Sequence, residues 1–358
     1  MSIELITTTI KNKAKDFGFL EANIANIIID QNTRNEFNSY LAQNFHGDMQ
    51  YLNNNKELRF NPSLLHKNTL SIISVKMAYL IDDVNYHNIR LNNHDNAYIS
   101  NYALGRDYHK VVKQQLTKYA SWINQFIASC NIEPQFDFNY RVFTDSAPIL
   151  EAQLAKNAGN GWIGKNTLLI NKHQGSFFVL GELFSNLLLI ADTATTAHCG
   201  SCSKCLTICP TQAFIAPYVL DARKCISYLT IESRGSIPVE YRKAIGNRIY
   251  GCDDCQLVCP WNKFSHTAHL KDFHVRHNLD KLTLIEAFLW TEQEWQAKMQ
   301  GSSIYRIGYI SWLRNVAVAL GNADTTPDVI EALTSRINDP SPIVREHTLW
   351  ALHEHQNS

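Results

Sequence analysis

What the sequence lacks narrows its class before anything it contains. Its 358 residues carry no surplus of charge, since 33 Lys and Arg balance 33 Asp and Glu. A chain that is neutral overall does not hold nucleic acid by its total field, so any such contact must come from a local patch. Charged residues make up 18% of the chain and apolar ones 45%, which excludes disorder, collagen and coiled coil as the dominant state. No apolar run reaches the roughly 18 residues of a membrane span; the nearest, SFFVLGELFSNLLLIA, is broken by Glu182 and Asn186. The opening MSIELITTTIKNKAKDFGF has no basic start, no continuous apolar stretch and no small-residue cleavage site. It does not read as a secretory signal, and a cytoplasmic protein without membrane contact is expected. A Walker loop and a Ser–His–Asp signature are missing, so P-loop nucleotide and serine-hydrolase chemistry have no carrier.

What is present is cysteine. Eight of the nine fall between residues 199 and 259, and in a reducing compartment such crowding argues for metal over disulfides. Residues 199–210 read CGSCSKCLTICP, the C-x2-C-x2-C-x3-C-P run of a [4Fe–4S] ferredoxin. Residues 252–260 read CDDCQLVCP, one cysteine short of that pattern, and Cys225 supplies the missing thiolate. By the crossed ferredoxin logic, Cys199, Cys202 and Cys205 join Cys259 on one cluster. Cys209, Cys225, Cys252 and Cys255 hold the second. Zinc also uses C-x2-C pairs, but the triple spacing and the two Cys-Pro ends disfavour it. Cys130, in IASCNIEP, reads as a buried apolar thiol.

Two neighbouring clusters make a short electron wire, and the long flanks imply that the electrons serve chemistry elsewhere on the chain. Three parts are expected: an α/β domain over 1–190, a ferredoxin-like domain over 191–265, and a helical domain over 266–358. In the first, Leu5, Ile6 and Ile10 predict an amphipathic helix and residues 69–81 a buried strand. HKVVKQQLTKYASWINQFIAS predicts a helix from His109, and RVFTDSAPILE a strand running into a turn. NTLLINKHQGSFFVLGELF predicts a hairpin about His173–Gly175. In the last part, WLRNVAVALGN (312–322) and IVREHTLWALHE (343–354) share an Arg followed by Ala-Leu, the mark of a HEAT-like repeat.

Residues 223–248 form the clear basic patch. Arg223, Lys224, Arg234, Arg242, Lys243 and Arg248 stand against Glu232 and Glu240, a local balance of +4. A phosphate backbone would prefer this site, although a solvated loop reads equally well. The tail from residue 266 has eight Lys/Arg and eleven Asp/Glu and is not basic.

Three polar strings in the first domain could carry chemistry: LGRDYHK (104–110), TDSAPILE (144–151) and the glycine-rich NGWIGKNTLL (160–169). Asp145 is the best general-acid candidate, because a partly desolvated carboxyl at a strand end can stay protonated near neutral pH. An Asx-turn aspartate before Ser-Ala-Pro is the structural alternative. Asp107 and His109 have plain helix-start readings.

In order and spacing, these strings resemble the epoxyqueuosine reductase family nearly end to end. HGDMQYL (46–52), RFNPSLL (59–65), YISNYALGRDYHK (98–110), TDSAPILE, GNGWIGKNTLLI (159–170), FVLGELF (178–184), both cysteine runs and LRNVAVALGN carry the resemblance. It implies reduction of epoxyqueuosine to queuosine at the tRNA wobble position. The α/β domain would bind cobalamin beside two [4Fe–4S] clusters, and the repeats would help to hold tRNA with a GUN anticodon. A monomer and an external electron donor are implied, with Asp145 as proton donor. Arg59, Tyr108, Asp145, Asn166, Leu169, Leu180 and Ser227 become candidate cobalamin contacts, and Arg234, Arg242 and Lys243 candidate tRNA contacts. Asn101 matches no known role. D-x-H-x-x-G is missing after Asp107, so no protein histidine is expected on the cobalt. The rivals are a cobalamin and iron–sulfur reductase of small molecules, resembling reductive dehalogenases, a non-catalytic electron carrier, and a tRNA-binding module whose clusters are structural.

Overall fold

The computed structural model describes residues 1–130 and 136–357. Contacts gather them into two units, neither a single stretch of chain. The first holds Met1–Leu80, Tyr108–Cys202 and Pro260–Asp272, and the second Ile81–Asp107, Ser203–Cys259 and Phe273–Ser358. Among the described residues no helix is long and apolar enough to cross a membrane.

The elements of the first unit that frame the site are α1 (Ile3–Lys13), β1 (Glu21–Ala25), β2 (Ser71–Ala78), α2 (Tyr108–Ser129), β3 (Tyr140–Phe143), α3 (Glu151–Asn157), β4 (Trp162–Ile163), β5 (Leu169–Ile170) and β6 (Phe178–Ser185), with further helices at Gln31–Ala42 and Lys56–Phe60 between β1 and β2. Its sheet has the order β1–β2–β6–β3, and every pairing is antiparallel. Helices and strands therefore mix as expected, but without the parallel crossovers of a wound α/β sheet. The strand predicted over 69–81 is β2, buried at every position. Its alternation sends Val75 to one face with its partner Gly181, and Ser74 to the other with Glu182. On the first face, a β-carbon at Gly181 would come within 2.7 Å of Val112 and 2.9 Å of Leu116 on α2. Glycine there lets the 22-residue helix lie close against the sheet. α1 buries Ile6 and Ile10 as expected, while Leu5 faces solvent and Thr7 takes its place.

The hairpin expected about His173–Gly175 does not form between β5 and β6. Asn171 and Gly175 close only a tight turn. β5 instead pairs with β4, and β6 pairs with β2 and β3. A long apolar strand buries more surface in the middle of a sheet than against a two-residue neighbour.

In the second unit, α4 (Lys204–Ile208), α5 (Ile226–Ile231), α6 (Val239–Ile245) and α7 (Asp254–Leu257) carry the cysteine segment. α8 (Leu284–Leu289), α9 (Glu292–Met299), α10 (Gly308–Leu320), α11 (Pro327–Thr334) and α12 (Pro342–Gln356) follow. α10 is the core helix, with every residue from Ser311 to Leu320 buried. Trp312 stacks on Trp290 with ring centres 5.5 Å apart. The Arg shared by the two repeat strings plays different parts. Arg345 on α12 binds the carbonyls of Asp339 and Pro340 at the surface. Arg314 on α10 is fully buried and donates to the carbonyls of Leu229, Ser233 and Gly235, at 2.7–2.8 Å. Next to it, Asn315 donates to Thr230 and Ile249. The LRN string thus clamps the chain that follows Cys225 and precedes Cys252.

Candidate functional site

The loop between β3 and α3 builds the first site. Strand pairing ends at Phe143, opposite Glu182. Thr144 then anchors the chain by donating its hydroxyl to Leu180 O at 3.0 Å. Asp145 follows with φ of +54°, a left-handed conformation that aspartate tolerates better than most side chains but that still costs energy. Its carboxylate accepts a short hydrogen bond from the Tyr108 hydroxyl and lies 2.9 Å from His109 Nε2. Tyr108 and His109 stack with ring centres 4.0 Å apart. His109, read from sequence as a plain helix-start residue, is therefore part of the site. Asp107 is not: it belongs to the second unit and pairs with Arg306 at 3.1 Å.

Beneath this loop lies a layer of buried charge that sequence reasoning did not find. The Asp145 backbone N–H donates to Glu151 Oε1 at 2.6 Å. Burial, with help from the nearby Asp145 charge, pushes the Glu151 carboxyl up to about 8. Some of the residue's surface stays accessible, but the carboxyl is enclosed. Glu182 has no exposed surface, accepts from Ser74 Oγ at 2.9 Å, and leaves Oε2 without a hydrogen-bond partner. Burial, and then Glu151, raises it well above the carboxylate range. On the same sheet face, Lys76 is fully buried, pairs with Glu21, and donates to Asn160 O at 2.8 Å. Burial outweighs Glu21 and lowers Lys76 to about 8. Glu182 within FVLGELF and Lys76 within SIISVKMAYL were the available signals, each a charge inside an apolar strand.

Four of the seven expected cobalamin contacts, Arg59, Tyr108, Asp145 and Leu180, belong to this loop or bond with it. Arg59 is buried and ties Ile149 O to Tyr51 O, at 3.2 and 3.1 Å. Its Nε has no hydrogen-bond partner, and burial depresses the guanidinium. Tyr108 and Asp145 touch directly. Leu169 and Leu180 join one apolar cluster with Ala155 and Phe178, and Thr144 binds Leu180. Buried Asn166 sits in the turn closing β4 and β5, where Gly164 N–H donates to Leu168 O at 2.8 Å. Ser227 lies on α5 of the second unit. An unmatched buried N–H, an apolar floor and an acid at the rim are chemistry that suits a macrocycle fringed with amides.

Among the described residues no disulfide joins the cysteines. Cys209, Cys225, Cys252 and Cys255 share the second unit. Burial raises the thiols of Cys225, Cys252 and Cys255, and the charges of their cysteine neighbours add to the rise. Cys209 Sγ accepts the Ala213 N–H at 3.3 Å. Mutually close thiols facing backbone donors fit a cluster cradle. Among the described residues, no three His, Cys, Asp or Glu side chains gather tightly enough for one metal ion. Asp253 fixes this segment from inside: it is buried and accepts from Tyr98, Ser100 and both nitrogens of Asn101. Asn101, given no role from sequence, links Asp253 to Arg90 at 2.8 Å. In the first unit, the Trp162 indole N–H donates to Cys199 Sγ at 3.4 Å. Lys165 holds Gly200 O and Cys202 O at 2.7 and 2.9 Å. Cys130 is half-buried, not enclosed, and its thiol donates to Phe126 O.

The basic patch is weaker than its count. Arg223 pairs with Asp221, Lys243 with Glu354 and Arg248 with Asp254. Arg242 is 2% exposed, engages Ile237 O, Ser236 and Glu346, and lies over the Trp350 ring. It is a core residue and cannot meet a phosphate, which corrects the expectation made for it. Arg234 is exposed, with its guanidinium on Ile307 O and Arg306 O. The acids that neutralise Arg242 and Lys243 come from α12, far along the chain.

Comparisons with known proteins agree on one family. Residues 59–146 match the model described as "Epoxyqueuosine reductase QueG, DUF1730". Residues 198–262 match a 4Fe-4S double cluster binding domain, and residues 319–349 a HEAT repeat associated with sister chromatid cohesion. The epoxyqueuosine reductase of Pseudomonas aeruginosa is 46% identical over 98% of this chain and 94% of its own. A crystal structure of epoxyqueuosine reductase with an epoxyqueuosine-modified tRNA-Tyr stem loop aligns with a TM-score of 0.87 at 24% identity, covering 99% and 91%. The Bacillus subtilis epoxyqueuosine reductase, with its catalytic aspartate loop swung out of the active site, aligns at 0.85 with 24% identity, covering 99% and 91%.

Proposed function

The chain belongs to the epoxyqueuosine reductase family, and we propose that it reduces epoxyqueuosine to queuosine at the wobble position of tRNA, the last step of queuosine biosynthesis. Near-full-length likeness to a curated reductase carries this reading. The reaction takes two electrons and two protons, opens the epoxide, and leaves an alkene and water. Cys209, Cys225, Cys252 and Cys255 would hold one [4Fe–4S] cluster, and Cys199, Cys202, Cys205 and Cys259 the other. Arg59, Tyr108, Asn166, Leu169, Leu180 and Ser227 would hold cobalamin. When bound, that cofactor supplies a reduced cobalt for attack on an epoxide carbon, fed by single electrons from an external donor through the clusters.

The chain's own residues handle the protons. Asp145, once protonated, gives the first to the epoxide oxygen as the C–O bond opens and, reloaded, the second to the departing hydroxyl, which leaves as water. The Tyr108 hydroxyl and His109 aim the carboxyl and can return a proton to it. Arg234 and Lys243 are the remaining candidate tRNA contacts, joined by HEAT-like helices over 266–358. The wobble base must leave its stack to reach such a site. We assign 1–190 to cobalamin and 191–265 to the clusters, in a monomer of the cytoplasm acting on tRNAs with a GUN anticodon.

The test is anaerobic protein incubated with cobalamin, then assayed on tRNA carrying epoxyqueuosine. Expected are about eight iron atoms and about one cobalt per chain, with queuosine detected by nucleoside mass spectrometry. Iron without cobalt, and no conversion, would leave an electron carrier.

A further inference from the structure

We infer that Glu151 is a positioning residue, the latch that holds the backbone at Asp145 so that its side chain meets Tyr108 and His109. The inference rests on the reading of Asp145 as proton donor and names the group that keeps it in place.

An acid in the first turn of a helix ordinarily bonds that helix's own N–H groups. Glu151 opens α3 but reaches back six residues, taking the Asp145 N–H at 2.6 Å. The residue it holds has a φ of +54°, a conformation that persists only where the surroundings enforce it. The rest of the loop is tied at its two ends, by Thr144 to Leu180 O and by Arg59 to Ile149 O. Glu151 fixes the turn between them. Its placement is costly, because the carboxyl is enclosed beside Glu182, a second buried acid. Burial and the Asp145 charge keep Glu151 largely protonated at pH 7, so its carbonyl oxygen serves as acceptor and an amide would imitate it. In the Bacillus subtilis relative the catalytic aspartate loop swings out of the active site, a motion that such a latch would oppose.

The experiment compares Glu151→Ala, Glu151→Met and Glu151→Gln. Ala and Met remove the acceptor, Met while filling the space. Each is expected to lower kcat roughly 10- to 100-fold, with KM for tRNA and iron content within about twofold of wild type. In substrate-free protein, hydrogen exchange across 144–150 should speed up by a similar factor. Gln should restore most of both losses. Wild-type exchange and turnover in a folded Ala or Met variant would overturn the latch. So would a Gln variant as impaired as Ala, since charge rather than the hydrogen bond would then matter. The exchange readout needs no catalysis. If Asp145→Asn kept full turnover, the proton-donor reading would fall while exchange in the Glu151 variants still judged the latch.

Discussion

The loop at Asp145 and the clamp at Arg314 use buried polar groups in opposite ways. Around Asp145 the chain holds a left-handed aspartate, two enclosed acids side by side, a Glu182 oxygen without a partner and an Arg59 Nε without one. Around Arg314 the buried cation is surrounded by carbonyls from Leu229, Ser233 and Gly235 and by Asn315 Oδ1. The first arrangement is costly and specific, as expected where a proton must be moved. The second is satisfied bond by bond, as expected where cysteine-bearing segments must be held still. On the proposed reading of Asp145 as proton donor, strain marks the reacting end and satisfaction the supporting frame.

The sharpest break in this contrast is Asp145→Asn. Asparagine accepts the same positive φ, so folding and metal content should stay intact while turnover falls by about 10²–10⁴. Turnover on epoxyqueuosine tRNA with parallel iron analysis checks both halves. Arg314→Met should do the reverse. It strands several carbonyls and Asn315, costing roughly 3–5 kcal/mol, and denaturant melts should show it before activity does.

Acid separates the frame from the loop in another way. His87 and His347, both fully buried, are lowered to about 4, mainly by burial. Both are neutral when folded, and unfolding lets them take up protons below about 6.5. Stability is therefore complete above pH 6.5 and is lost as pH falls from there to 4, by at most a few kcal/mol for each histidine. Melts across that window on His347→Gln should show a flatter acid limb. A slope equal to wild type would clear His347 of the effect.

The smallest effect is expected at Cys199. Trp162→Phe keeps the packing against Trp261 but deletes the N–H to the sulfur. One hydrogen bond of about 0.5–1.5 kcal/mol corresponds to roughly 20–60 mV in a one-electron couple, and the potential should fall by that much. EPR-monitored titration measures it. An unchanged potential would mean that the contact is packing alone.

What was legible in the sequence was legible because it is local. Cysteine spacing, the strand at 71–78 and the helix from residue 108 depend on neighbours a few positions apart. Asp145 was legible as a residue at a strand end, but not as a residue in strain. Glu151 was hidden because its partner is a backbone N–H, which leaves no mark in the side-chain pattern. Glu182 and Lys76 left a faint mark, each a charge inside an apolar strand. The basic patch misled because counting charge along the chain overlooks acids that return from α12.

The sequence by itself determined the iron–sulfur character and the family, since cysteine spacing and motif order survive without knowledge of contacts. It also determined that a strand would lie at 71–78 and a long amphipathic helix would follow residue 108, because periodicity encodes burial. Only the tertiary structure decided that the sheet is antiparallel, that His109 rather than Asp107 joins Asp145, that Arg242 is core, and that Arg314 clamps the cysteine segment. Each of those outcomes pairs groups distant along the chain, and a buried charge takes whichever partner the fold brings within hydrogen-bond reach.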